Sequence, residues 1–228
     1  MSSTTLDRLT VIIPTLNAGQ TLTATLASVV GVQEIIIADG GSNDGTLAIA
    51  GSLGARIVTG VTGRGRQLAV GAEDASGDWL LFLHADTALA PGWPMATADH
   101  MAAPGSSTRA AYFRFSLDDL GWRARLLEWL VAVRCAVFHL PYGDQGLLIS
   151  RIIYDEVGGY ADHPLMEDVD LVRRLGRRRL APLAVAARTS ADRWRRDGWA
   201  RRSLRIMVCL ALYFAGFAPA RIARLYER

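Results

Sequence analysis

The chain has 228 residues, half of them hydrophobic, and a formal net charge of +3. This length and apolar content suit one large α/β domain with a sizeable core and leave too little chain for a second full domain. The charge is split: residues 1–172 hold 10 Arg against 19 acids, residues 173–228 hold 15 Arg against 3 acids, and there is no Lys. Arginine supplies forked donors suited to phosphate or anionic lipid. Nucleic acid is not expected as a partner, because no aromatic platform accompanies the basic tail. Cys135 and Cys209 lie 74 residues apart in apolar surroundings. They lack metal-ligand spacing and read as buried free thiols of a reducing cytoplasm. Met1 to Leu9 shows no basic region followed by an apolar stretch, so no secretory signal is expected.

The first half alternates β-branched runs with helical patterns, the grammar of parallel strands covered by helices. Strands are expected at Thr10–Pro14, Glu34–Ala38, Ala55–Thr59 and Trp79–Leu83. Helices are expected between them at Thr21–Val30, about Gly45–Leu53 and Arg64–Ala75. Pro91-Gly92 and Pro104–Ser107 mark loops, and Ala110–Ser116 alternates enough for another strand. Trp122–Phe138 has the pattern of a long helix, apolar on most of its circumference, and is expected to pack in the core. Tyr142–Gly146 is a turn before the short strand Leu147–Ser150, and Gly158-Gly159 stops a helix. Met166–Leu171 opens another helix, its acids favourably placed for the helix dipole.

Two apolar runs end in acids: Ile35–Ala38 in Asp39, and Trp79–Leu83 in His84-Ala85-Asp86. In an open α/β sheet the crevice beyond the strand ends is where ligands bind, and carboxylates there read a base or sugar or hold a metal. Each segment alone is equally an ordinary turn or helix cap. Residues 206–219 form an apolar stretch behind Arg193, Arg195, Arg196, Arg201, Arg202 and Arg205. That stretch falls short of the roughly 20 residues a bilayer span needs. It fits an interfacial anchor on an anionic membrane, a helix packed on its own domain, or a homodimer contact.

Pro14-Thr15-Leu16-Asn17, then Asp39 with Gly40–Thr46, then His84-Ala85-Asp86, and then Glu167-Asp168 follow in that order, with Asp168 lying 82 residues beyond Asp86. This set resembles the family-2 glycosyltransferases of the GT-A fold. Phe82–Thr87, Tyr142–Gly146, Pro164–Asp168 and Ile222–Tyr226 are also similar to a bacterial subfamily associated with arsenosugar biosynthesis. The resemblance implies an α/β GT-A fold, a mostly parallel sheet flanked by helices with a helical C-terminal tail. It divides the chain into a glycosyltransferase domain at 1–190, with a nucleotide-binding half at about 9–90 and an acceptor half at about 91–190, and a basic, apolar extension at 191–228.

The activity it implies is metal-dependent inverting transfer of a sugar from a nucleotide-sugar, a UDP-sugar by preference, to a small-molecule or lipid-linked hydroxyl. By resemblance, Pro14, Thr15 and Asn17 lie along base and ribose, Asp39 faces the base, and Arg64, His84 and Ala85 lie near the nucleotide. Asp86 would hold Mn2+ or Mg2+, hard cations that prefer oxygen. His84 stands where the family's usual first acid would be, and an imidazole there either donates to an oxygen or ligates Mn2+. Asp168 would be the base that takes the acceptor proton, with Asp144, Gln145 and Glu167 on the acceptor side. Asp170 lies on another helical face and is expected to be structural. The enzyme would be cytoplasmic, with a possible peripheral seat at the inner membrane face. The alternatives are a nucleotidyltransferase, whose basic phosphate loop Pro14–Gly19 does not supply, and a non-catalytic module at a membrane surface.

Overall fold

The computed structural model describes residues 3–226, which build one eight-stranded sheet with helices on both faces. The first half runs β1 (Leu9–Thr15), α1 (Leu22–Ser28), β2 (Glu34–Asp39), α2 (Thr46–Ser52), β3 (Arg56–Val58), α3 (Arg64–Asp74) and β4 (Trp79–Phe82). β1 pairs in parallel with β2 and β4, and β2 with β3. Alternate residues of each strand face opposite layers. Ile12, Ile36, Leu80 and Phe82 pack with Leu68 and Ala72 of α3. Val11, Ile13, Ile37 and Leu81 pack with Leu22 and Leu26 of α1. Burial on both faces is why these strands read as unbroken apolar runs, and each large side chain contributes about 1.5–3 kcal/mol over its exposed state.

The second half adds β5 (Thr87–Leu89), α4 (Trp93–Ala102), β6 (Ala110–Leu117), α5 (Trp122–Phe138), β7 (Leu147–Ser150), α6 (Arg151–Glu156), α7 (Glu167–Leu175) and β8 (Leu180–Thr189). The sheet order is β3-β2-β1-β4-β7-β6-β8-β5, and four of its seven pairings are parallel. Three of these elements depart from the sequence reading, the short strand β5 among them. The segment between the two Pro-Gly loops is helix α4, started by left-handed Gly92 with a proline in its first turn. β8 escaped notice because its Leu-Ala-Pro-Leu-Ala run is poor in β-formers. Pro182 is tolerated beside a register irregularity in the β6–β8 ladder, where a missing N–H costs least.

Helix α5 has the expected bounds but not the expected role. Its buried residues are Ala124, Val131 and Cys135, while Trp122 is 70% and Phe138 65% exposed. After β8 come α8 (Asp192–Asp197), α9 (Trp199–Phe214) and α10 (Pro219–Tyr226). The apolar stretch at 206–219 therefore spans a break, with Gly216 left-handed between α9 and α10. Cys209 and Ile222 pack against Met166 and Val169 at the start of α7. Both cysteines are buried and free. Among the described residues, no helix is long and apolar enough to cross a membrane.

Candidate active site

The carboxyl ends of β1 and β2 are tied into one edge. Parallel register sets Pro14 beside Ala38 and Thr15 beside Asp39. The Asp39 carboxylate is 1% exposed and accepts from the Thr15 hydroxyl at 2.8 Å, the Ser42 hydroxyl at 2.6 Å, and the N–H groups of Gly41 at 2.9 Å and Ser42 at 2.8 Å. Burial works against its charge, but these bonds outweigh it and hold the carboxyl below its usual range. Asn17, left-handed, donates its N–H to the Ser42 hydroxyl and accepts from the Asn43 N–H with its side chain. From below, the Gln67 side-chain amide donates to the carbonyls of Thr15 at 2.8 Å and Ala38 at 2.6 Å. A Cβ at Gly40 would lie 3.2 Å from that amide nitrogen. A carboxylate side chain there would push into the group that ties β1 to β2.

Further along the strand ends, a cavity of about 120 Å³ gathers charged side chains from α3, α7, α8 and α9 and from the turns that carry Asp86 and Asp144. Arg64, at the first position of α3, points its guanidinium at Glu167 and Asp168, which open α7 behind left-handed Met166. Its Nη2 lies 2.7 Å from His84 Nε2. Since arginine only donates, His84 accepts there and carries its proton on Nδ1. Burial first, then the nearby Arg64 and Arg193, hold His84 well below the usual imidazole range, so it stays neutral. Asp168 Oδ2 accepts the Gly143 N–H at 2.7 Å and Oδ1 the Val169 N–H at 2.8 Å. A Cβ at Gly143 would sit 2.6 Å from His84 Nε2 and 3.2 Å from Asp168 Oδ2. Glycine alone lets the turn pass between them. Glu167 is 1% exposed, and burial, reinforced by Asp168 and opposed by Arg64, pushes its carboxyl up to about 7.

Asp86 and Asp144 complete the cavity lining. Asp86 is lightly engaged: its Oδ1 is 3.4 Å from the Thr87 hydroxyl and its Oδ2 3.8 Å from Arg193 Nη2. Asp144 Oδ1 is sealed from solvent without a hydrogen-bond partner, and burial pushes this carboxyl up to about 6. Oxygen donors in this state fit a hard divalent cation. Among the described residues, no group of three or more His, Cys, Asp or Glu could hold a metal by itself. A cation at Asp86 would therefore complete its shell with substrate oxygens and water.

The sequence-derived residues thus fall into two groups. Arg64, His84, Asp86, Asp144, Glu167 and Asp168 converge on one cavity, whereas Pro14, Thr15, Asn17 and Asp39 form the neighbouring β1–β2 edge. Ala85 offers its carbonyl to the Thr25 hydroxyl of α1. Gln145 faces inward. It is 2% exposed, its amide nitrogen donates to the Phe113 carbonyl, and its oxygen accepts from Arg134 and Cys135. It braces the turn that carries Asp144. Asp170 pairs with Arg174 and accepts from the Tyr213 hydroxyl, a structural role as expected.

What the motifs did not reveal is the cover. Arg193 and Trp194 of α8, Arg202 of α9 and Tyr226 of α10 line the same cavity. Arg202, 8% exposed, stacks over Trp194 and donates to Asp197 and to the Tyr226 hydroxyl. The sequence marks this region by the arginine density after β8, Arg193-Trp194-Arg195-Arg196 included, and by the motif Ile222–Tyr226, neither of which says that it closes over the cavity.

Residues 10–161 match the model of glycosyl transferase family 2. Among curated proteins, none matches the sequence. Several solved structures share the fold. Glucosyl-3-phosphoglycerate synthase from Mycobacterium tuberculosis, in complex with Mn2+, UDP and glucosyl-3-phosphoglycerate, is 20% identical with a TM-score of 0.55, covering 82% of this chain and 75% of its own. Mannosyl-3-phosphoglycerate synthase from Rubrobacter xylanophilus is 18% identical with a TM-score of 0.60, covering 91% and 74%. S. aureus TarS 1-349 is 14% identical with a TM-score of 0.60, covering 96% and 70%. The family match spans well over half of the chain, its strand ends and the Asp86 carboxylate included: this protein belongs to glycosyl transferase family 2 and is a glycosyltransferase of the GT-A fold.

Proposed function

We propose that this glycosyltransferase moves a sugar from a UDP-sugar to a hydroxyl acceptor with inversion, aided by Mn2+ or Mg2+ at Asp86. The observation that carries the reading is the convergence of a lightly engaged carboxylate, Asp86, a fixed carboxylate, Asp168, and the arginines Arg64 and Arg193 on one cavity. The M. tuberculosis neighbour's complex with Mn2+ and UDP supports the choice of nucleotide and metal. A bound divalent cation would neutralise the charge that grows on the departing diphosphate. Arg193, 3.8 Å from Asp86, adds positive charge on that side.

Asp168 takes the proton of the acceptor hydroxyl as the new bond forms. The Gly143 and Val169 N–H groups fix both of its oxygens, and a positioned base of this kind is worth about 10²–10⁴ in rate. One base on the acceptor side, opposite the diphosphate, gives inversion. Neutral His84 serves by steering Arg64 rather than by ligating the metal, because its Nε2 already accepts from that guanidinium. Asp39 holds the base-facing loop, and a direct bond from a uracil N–H requires the Ser42 hydroxyl to turn away. Membership of the arsenosugar-associated subfamily is proposed on the motifs Phe82–Thr87, Tyr142–Gly146, Pro164–Asp168 and Ile222–Tyr226. Exposed apolar side chains on α5 and α9 beside arginines suit a peripheral seat on an anionic inner membrane face.

A thermal-shift panel of nucleotide-sugars with Mn2+ and Mg2+ tests the reading. A ligand at about 100 times its Kd adds about 2.7 kcal/mol of stability. A rise with a UDP-sugar and metal together is expected; no response to any nucleotide would overturn the donor assignment.

A further inference from the structure

A second cavity of about 800 Å³ adjoins the charged one and runs between α5 and α9. Leu127, Leu130 and Phe138 form one wall, and Ile206, Met207 and Phe214 the other. Tyr142, Asp144, Trp194, Ile206 and Leu210 line both cavities, so the apolar space opens directly onto the carboxylates. At its other end, Leu127, Leu130 and Ser203 are shared with a third space of about 600 Å³ that reaches Trp122 and Trp199. The three spaces form one trough. Its flanking helices have 17 and 16 residues, a length of about 25 Å at 1.5 Å per residue.

The trough has an apolar body and a polar head. Along the body, apolar side chains that would pack inside an ordinary helix pair are left half open, as at Leu130, 48% exposed, and Met207, 66% exposed. At the head, Asp144 lines both spaces and its buried Oδ1 lacks a donor, so turning the carboxyl toward a hydroxyl at the end of the trough would supply one. Asp168 lines the same charged cavity. A second copy or a bilayer surface would cover the exposed rims, but neither brings a reacting group to the end of the trough that shares Asp144 and Trp194 with the charged cavity. A flexible apolar chain bearing a hydroxyl does both.

We infer that the trough between α5 and α9 seats the apolar chain of an amphiphilic acceptor, whose hydroxyl head reaches the Asp144 and Asp168 end of the charged cavity. This rests on the glycosyltransferase reading of that cavity. In the transfer, the acceptor oxygen bonds to the anomeric carbon, the bond from that carbon to the diphosphate oxygen breaks, the diphosphate leaves with the electron pair, and Asp168 takes the hydroxyl proton.

Tryptophan fluorescence gives a direct readout, because Trp194 lies where the first two spaces meet and Trp199 lines the third. The probe is a monoacylglycerol brominated on its chain, held below its micelle concentration. Saturable quenching of the wild-type protein is expected, with at least tenfold weaker binding in Leu130→Glu and in Met207→Glu. UDP binding in the presence of Mn2+ is the control that each variant is folded. Absent quenching, equal quenching in the variants, or quenching by brominated vesicles alone would overturn the assignment. A dimer that Leu130→Glu converts to monomer would assign the trough to a second copy instead. If UDP binding persists while quenching fails, only the acceptor inference falls; loss of UDP binding by the wild-type protein strikes the donor reading beneath it.

Discussion

The edge formed by β1 and β2 and the cover formed by α5 and α8–α10 are built on opposite principles. On the edge, each loop is bound to its neighbour through polar groups with partners: Asp39 has four donors, and Gln67 clamps two carbonyls. On the cover, arginine stacks and half-exposed apolar side chains dominate, with a large open trough between helices. A satisfied polar network rigidifies, whereas loosely packed apolar surface adapts. On the proposed reading, the constant donor meets the rigid side and the variable acceptor the adaptable one.

The comparison breaks first in catalysis. Asp86→Ala is expected to abolish metal-supported transfer. Asp168→Asn should lower kcat by about 10²–10⁴ with UDP binding unchanged; full transfer by Asp168→Asn, measured in a steady-state assay with a verified acceptor, would remove it as the base. The next largest effect separates the two sides by stability. Leu81→Ala, in the fully buried layer under the edge, should cost about 2–5 kcal/mol in urea denaturation. Val137→Ala on α5, 61% exposed, should stay within about 0.5 kcal/mol.

A smaller effect follows from pH. Asp144 is pushed from 3.8 up to about 6, so between those values the folded state holds a proton that the unfolded chain has lost. Stability from this group is therefore full below about pH 4 and declines as pH rises through 6. Asp144→Asn should remove that decline and stabilise the ligand-free protein at pH 7 by about 1–3 kcal/mol. Denaturation midpoints across pH 4–7 check it, and an unchanged pH profile in the variant would show that Asp144 is solvated.

The sequence made the first half legible because its signals are local. An apolar run buried on both faces ends in a carboxylate, and the next helix follows within a few residues. Motif order points to Asp86 and Asp168, and the family resemblance to Arg64; the fold brings all three into one cavity. What stayed hidden is long-range. The pairing of Asp86 with Arg193 and of Asp170 with Tyr213 joins distant segments, and no periodicity encodes it. Gln145 shares a motif with Asp144, yet backbone geometry turns one inward and leaves the other at the cavity. The all-round apolar pattern of α5 predicts a packed helix, whereas the structure buries only the Ala124, Val131 and Cys135 face and exposes the rest. β8 was lost to its alanines and Pro182, whose pairing depends on β6 rather than on its own propensity.

The most direct test is a calorimetric titration of UDP with and without Mn2+ in the wild-type protein, Asp86→Ala and Asp168→Asn. The account predicts metal-dependent binding that Asp86→Ala loses and Asp168→Asn keeps. Binding indifferent to metal, or lost equally in both variants, would contradict the separate assignment of Asp86 to the donor and Asp168 to the acceptor proton.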